Sequence, residues 1–383
     1  MALARSAGEA TISGMNQHCS ITASTPAEAV AVAPYLLGFH PTDSFVVLGL
    51  IGHTVDFAVR YDLPPPGPVD FDETAVLIAR QGVERVLLLG YGSPRRVTSA
   101  VLQAGYSLRV AGVRIADVIR VADGRWWSYL GGPADGTPCA PGLAAEAVFQ
   151  GMVALPDRKA LVAKVAPVEG EARERVTAAT GRARARATDL AAGDLKAGRS
   201  GSWMRRAGRE AVRQAETAAR AGRALGPDQV AWLGVLLVNQ VVLDYAIDRS
   251  GPELWRLRLW NEVTRWVDPS LAAGPACLLA FAAWQAGDGS LARVAVDRAL
   301  REDVGHRLAG TLDRLLAAGI RPRPLERLVP RPAPQGRSAR SEGPDGAGAG
   351  AGTDVGAARG RSKRPGTGDG RRSGGRGTRR RSL

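Results

Sequence analysis

Ser44-Phe-Val-Val-Leu-Gly-Leu50, joined through Gly52-His53 to Val55-Asp-Phe-Ala-Val-Arg-Tyr61, is the stretch on which the fold turns. The first run is almost wholly apolar, as a buried strand requires. In the second, Val55, Phe57, Val59 and Tyr61 recur at every other position and so share one face. With so short a connection the two read as a β-hairpin.

Beyond the hairpin, Pro64 to Pro68 breaks the chain, Phe71 to Gln81 returns to helical spacing, and Arg85-Val-Leu-Leu-Leu-Gly-Tyr91 is another apolar strand. Helical residues around Val97 to Gln103 precede a strand from Val113 to Val121. Asp123-Gly124 then stands where a tight turn belongs, before Arg125-Trp-Trp-Ser-Tyr129. Upstream, Cys19 to Thr22 reads as a short strand and Pro26 opens a helical segment that Pro34 interrupts or ends. Strands alternating with helices, joined by both hairpins and crossovers, predict an α/β layered domain with a mixed sheet over residues 19–165. Residues 131–142 form a loop by composition.

From Leu143 onward no strong strand pattern recurs. Residues 166–225 read as a helical, charged connector, because charges of both signs interleave on an Ala-rich background interrupted by Gly193, Gly198 and Gly201. Residues 226–320 read as helical hairpins: Asp228 to Ile247, Glu253 to Val267, Leu271 to Ala286, Leu291 to Arg301 and His306 to Ala318, separated by Gly- and Pro-containing links. The pair counted from Ala273 resembles a tetratricopeptide unit, with Leu279, Ala280, Gly287, Ala292, Val296 and Ala299 at the expected offsets. It departs at Ala283 and Val304. The window Val230 to Ile247 has membrane-spanning length, but Asn239, Gln240 and Asp244 favour a buried helix.

The chain has 383 residues and a formal charge of +14. Of its 51 basic residues only Lys159, Lys164, Lys196 and Lys363 are lysines, a bias that speaks of a GC-rich genome and not of chemistry. Residues 331–383 hold 13 Arg/Lys against 4 Asp/Glu, a balance of +9 that leaves +5 for the rest. Pro, Gly, Ser and Arg dominate that end, so residues 321–383 are expected to form a disordered basic tail, as residues 1–18 are expected to form a flexible leader. Cys19, Cys139 and Cys277 have neither disulfide-framework nor zinc-ligand spacing. The first 17 residues lack the apolar stretch of a signal peptide. A cytoplasmic location is expected, with no membrane, no metal and no cofactor.

The densest motif is Pro34-Tyr-Leu-Leu-Gly-Phe-His-Pro-Thr-Asp-Ser44. It places His40, Asp43 and Ser44 within five residues, at the entry to a strand where α/β ligands often bind. His40 could act as a base or ligand contact; equally, His40-Pro41 restricts the backbone while Asp43 and Ser44 hold turn amides. Arg60 and Asp62, two apart on a strand, share a face and could meet Asp43, a ligand anion or each other. Arg125 and Trp127 follow the Asp123-Gly124 turn, where Arg and Trp together could stack a base or a peptide. Strand alternation alone would also send one of Trp126 and Trp127 inward and the other to the rim. Gly90-Tyr-Gly-Ser-Pro94 is a strand-to-helix loop suited to phosphate but without a nucleotide-binding signature.

Together, the PYLLGFHPTDSFVVLGL stretch, the R-x-DLP segment at 60–64, the GRWWSY segment at 124–129 and the late AAWQAGDGSLARVAVDRAL pair resemble an actinobacterial family catalogued only as a domain of unknown function. The resemblance spans roughly residues 19–320. It implies an uncharacterised role and brings no catalytic residues with it.

Three functions follow as expectations. The first is a non-enzymatic intracellular interaction or regulatory protein, with a protein or small-molecule partner. The second is an enzyme acting on a small anionic metabolite at a pocket of His40, Asp43, Arg60 and Arg125. The third is nucleic-acid association through the basic tail.

Overall fold

The hairpin forms as its pattern dictates. Strands β2 (Ser44–Ile51) and β3 (Thr54–Asp62) pair antiparallel, and Gly52 supplies the positive φ of 59° that a primed two-residue turn needs. Around them, β1 (Thr11–Gly14), β4 (Arg85–Tyr91), β5 (Ile115–Ala122), β6 (Arg125–Ser128) and the two-residue β7 (Thr137–Pro138) complete a mixed sheet in the order β1-β3-β2-β4-β5-β6-β7. Among neighbouring described strands, only β4 and β5 run parallel. The β5–β6 turn is Asp123-Gly124, both with positive φ.

The computed structural model divides into two units, Met1–Arg327 and Leu328–Leu383. It describes residues 11–14, 21–63, 71–149, 151–198 and 201–322, all in the first unit.

Each face of the sheet is covered by helices. On one, α2 (Asp72–Ala79) and the crossover helix α3 (Pro94–Val110) enclose a core of Phe45, Val47, Val59, Leu88, Val97 and Leu108. Phe45, Tyr61 and Phe71 cluster there with ring centroids 5.0–5.3 Å apart. The other face carries Val46, Leu48, Leu87, Leu89 and Ile119, and these belong to one continuous core with α1 (Pro26–Leu37) and the C-terminal helices. Thr25 and Glu28 cap α1 reciprocally.

The helical remainder comprises α4 (Ala145–Phe149), α5 (Arg158–Ala163), α6 (Gly170–Lys196), α7 (Ser202–Arg220), α8 (Pro227–Leu237), α9 (Gln240–Asp248), α10 (Leu254–Trp266), α11 (Ala273–Gln285), α12 (Gly289–Glu302) and α13 (Arg307–Ala317). Helices α11 and α12 form a closely packed hairpin in which Ala276, Ala280, Ala283, Ala292 and Ala299 are fully buried. No single described helix is long and apolar enough to cross a membrane.

Four expectations are corrected. The charged connector is two long helices built into the core: Val176, Ala179 and Ala183 of α6 and Ala211, Val212 and Ala215 of α7 are buried. Gly193 stays helical, and the break falls at Gly198 and Gly201, which take positive φ. The single helix over Asp228 to Ile247 is two helices bent by 108°, because Asn239 caps the second by accepting from the Val241 amide. The leader contains an ordered strand, Thr11–Gly14 paired with β3; the rest of residues 1–18 lies outside the described residues. The ordered body also runs past Ile320, for Arg321 donates to Gln81 Oε1 at 3.1 Å and pairs with Asp56. Tail residues 323–383 lie outside the described residues.

Candidate functional site

Residues paired across neighbouring strands point to the same side of a sheet. Ser44 stands opposite Asp62 on one side and Tyr91 on the other; Tyr91 opposes Val121, and Val121 opposes Trp126. A single row therefore crosses the sheet at the end where β4 and β5 finish. Arg60, opposite Val46 one step inward, shares that face. With strands about 4.8 Å apart, Asp62, Ser44 and Tyr91 fall within roughly 10 Å. The row faces the larger core, beneath α1, and Trp126, Val121 and Cys139 pack against that core.

Five polar atoms of this row are buried without a protein partner: Ser44 Oγ, Arg60 Nε and Nη1, Tyr91 Oη and Trp126 Nε1. Ser44 is fully buried, Arg60 is 5% exposed and Tyr91 8%. Leaving one buried donor unsatisfied costs about 1–3 kcal/mol, so four such side chains along one end of one sheet face are a large local cost. The remaining Arg60 nitrogen, Nη2, bonds Asp62 Oδ1. That ion pair is lopsided: the arginine is buried, while the Asp62 side chain is 50% exposed at the rim. Burial, with a contribution from nearby Cys139, pushes the Tyr91 phenol well above its usual range; burial also raises the Cys139 thiol. Both stay protonated at neutral pH.

The other predicted residues fall elsewhere. Asp43, with φ of 42°, accepts from Arg96 Nη1 at 2.7 Å, and its carbonyl accepts from the Leu63 amide. It thus stands beside the start of α3, where a carboxylate is favoured by the helix dipole. His40 is exposed on the same rim, its backbone amide bonded to Leu155 O. Arg125 and Trp127 pair with Ala122 and Arg120 and so leave the opposite face of the sheet. Arg125 donates to the carbonyls of Asp135 and Gly136. Trp127 donates to Ala134 O, lies under the Arg120 guanidinium at 3.7 Å, and packs against Gly136. These two residues organise the 131–138 loop. A pocket shared by His40, Asp43, Arg60 and Arg125 is therefore not assembled, because Arg60 and Arg125 are separated by the sheet itself.

A family model described as a domain of unknown function, DUF4192, matches residues 26–323. The chain belongs to this family. No curated protein and no solved structure matches it. The DUF4192 match opens at the first residue of α1 and runs through strands β2 to β7 and all the described helices, in keeping with the core they share, while β1 precedes it.

Within this DUF4192 chain, the residues that sequence reasoning passed over are Tyr91 and Trp126. Both carried a signal: Tyr91 ends an apolar strand one residue from a glycine-serine loop, and Trp126 is the inward member of an alternating pair. What patterning could not supply was the register that lines them up with Ser44. Two small cavities, each of about 20 Å³, lie away from the row. One is lined by Trp284, Leu316 and Ile320, the other by Phe57, Tyr61 and Thr74, and each is only of water size.

Proposed function

We propose that this DUF4192 chain is a non-enzymatic regulatory or interaction protein of the cytoplasm that senses a small molecule at the carboxyl end of its sheet. The observation that carries the reading is the row of buried, unpartnered polar atoms on Ser44, Arg60, Tyr91 and Trp126. Buried polar groups in folded proteins are paired in the great majority of cases. A row whose unpaired members share one face and one end of a sheet therefore supports a ligand as the missing partner. Its position supports the same reading, for α/β ligands bind beyond the carboxyl ends of parallel strands where strand direction changes. Here parallel β4 and β5 meet antiparallel β2. Recognition is favoured over catalysis because Ser44 Oγ makes no hydrogen bond that would activate it and the Cys139 thiol is held protonated. The entry route is the rim, where His40, Asp43 and Asp62 are exposed.

The test is thermal denaturation of the full chain against a panel of neutral and anionic metabolites. At least one compound should raise the melting temperature. Ser44→Val should remove that response while raising the melting temperature of the free protein, since it deletes an unsatisfied hydroxyl. If no compound of either kind shifts the transition and Ser44→Val merely stabilises, the row is a feature of folding alone and the proposal fails.

A further inference from the structure

Resting on that reading, we infer that the ligand presents an oxyanion, a carboxylate or phosphoryl group, and that it takes the Arg60 guanidinium over from Asp62. The unpartnered atoms are overwhelmingly donors. Arg60 Nε and Nη1 carry three N–H groups and Trp126 Nε1 one, none of which can accept. The Ser44 and Tyr91 hydroxyls can each donate, and Tyr91 keeps its proton in this environment. A group that satisfies the neighbouring donors of Arg60, Ser44 and Tyr91, on adjacent strands β3, β2 and β4, brings acceptors only, and charge-assisted bonds from guanidinium to oxyanion are the strongest such match.

Charge decides how it enters. In the free protein Arg60 is neutralised by Asp62, so a second anion added beside the pair would leave a net negative charge in a buried place, which is costly. Exchange avoids that cost. Arg60 is fixed, since its strand is flanked by β1 at Thr11 and by β2 at Val46. Asp62 is the last residue of β3, and its side chain is already half in water; a rotation frees it. Asp62 then acts as a placeholder that keeps Arg60 from being an uncompensated buried charge while the site is free.

The test is calorimetric titration of full-length wild type, Asp62→Asn and Arg60→Gln with inorganic phosphate, acetate and citrate, and with glucose and adenosine as neutral controls. Oxyanions should bind wild type. They should bind Asp62→Asn about tenfold more tightly, within the usual range for coupled sites, even though that variant melts lower without ligand. Arg60→Gln should lose oxyanion binding; if it does not fold, Arg60→Lys, which keeps the charge and loses the fork, should bind measurably more weakly than wild type. Response to phosphate alone or to carboxylates alone supports the inference and names the group. Oxyanion affinity that is unchanged or weakened in Asp62→Asn, or retained in Arg60→Gln, overturns it. A neutral compound that binds in a Ser44-dependent way while no oxyanion does would overturn the ligand class and leave the proposed function standing. Silence from every one of these compounds overturns the inference, while the proposed function is decided by its own denaturation panel and by Ser44→Val.

Discussion

At Gly90 a β-carbon would stand 2.2 Å from Val97 Cγ1. The strand-to-helix loop Gly90-Tyr-Gly-Ser-Pro94 looks, as a string of letters, like a place for phosphate. In the fold its first glycine lets α3 lie close against β4, and the α3 start has Asp43 and Arg96 beside it. Gly90→Ala should therefore destabilise the protein by about 1–3 kcal/mol, the usual cost of overpacking. Urea titration checks this. Adding Val97→Ala should recover part of the loss, because the two changes act on one contact; equal stability of Gly90→Ala and wild type would show that the close approach is dispensable. The same scale explains Trp126 and Trp127. Their alternation was plain in the letters, yet which one faced inward depended on the register of β6 on β5.

Among the elements, the helices carried the largest differences between pattern and structure. Val230 to Ile247 is apolar apart from Asn239, Gln240 and Asp244, so hydropathy joins it into one helix, whereas Asn239 divides it. Its side-chain oxygen accepts the Val241 amide at 3.1 Å, a local bond that competes with helix continuation. Asn239→Ala should cost about 1 kcal/mol, read as a lower urea midpoint, with Asn239→Asp close to wild type. An alanine variant as stable as wild type would mean that packing alone sets the bend. Helices α6 and α7 went the other way. The Ala-rich buried face of α6 is too small to register as a hydrophobic stripe, yet its Arg182 bonds Asp228, and its Arg186 guanidinium lies 4.2 Å over Trp232. Arginines that read as a solvated connector are ties to α8.

For the whole molecule, the decisive fact is that one hydrophobic cluster contains both the α1-facing side of the sheet and the helices as far as α13. Sequence patterning divided the body near residues 165 and 225; packing recognises no such boundary. The last described turn reinforces the join, with Gln81 Nε2 donating to Gly319 O and Arg321 held by Gln81 and Asp56. Calorimetric unfolding should consequently show a single cooperative transition for the sheet and the helices. Two resolved transitions would show that the shared core is too weak to couple them.

The residues alone determined the hairpin at 44–61, the turn at Asp123-Gly124, the mixed sheet followed by helices, and the pairing potential of Arg60 with Asp62. Each follows from a period of two, a glycine at a positive φ, or neighbours two apart on a strand, all of which are local. Tertiary structure alone decided that Arg125 and Arg60 lie on opposite faces, that Ser44, Tyr91 and Trp126 stand in one row, and that an apparent linker is part of the core. Those outcomes rest on strand register and on contacts between residues tens to hundreds of positions apart, which no local spacing encodes.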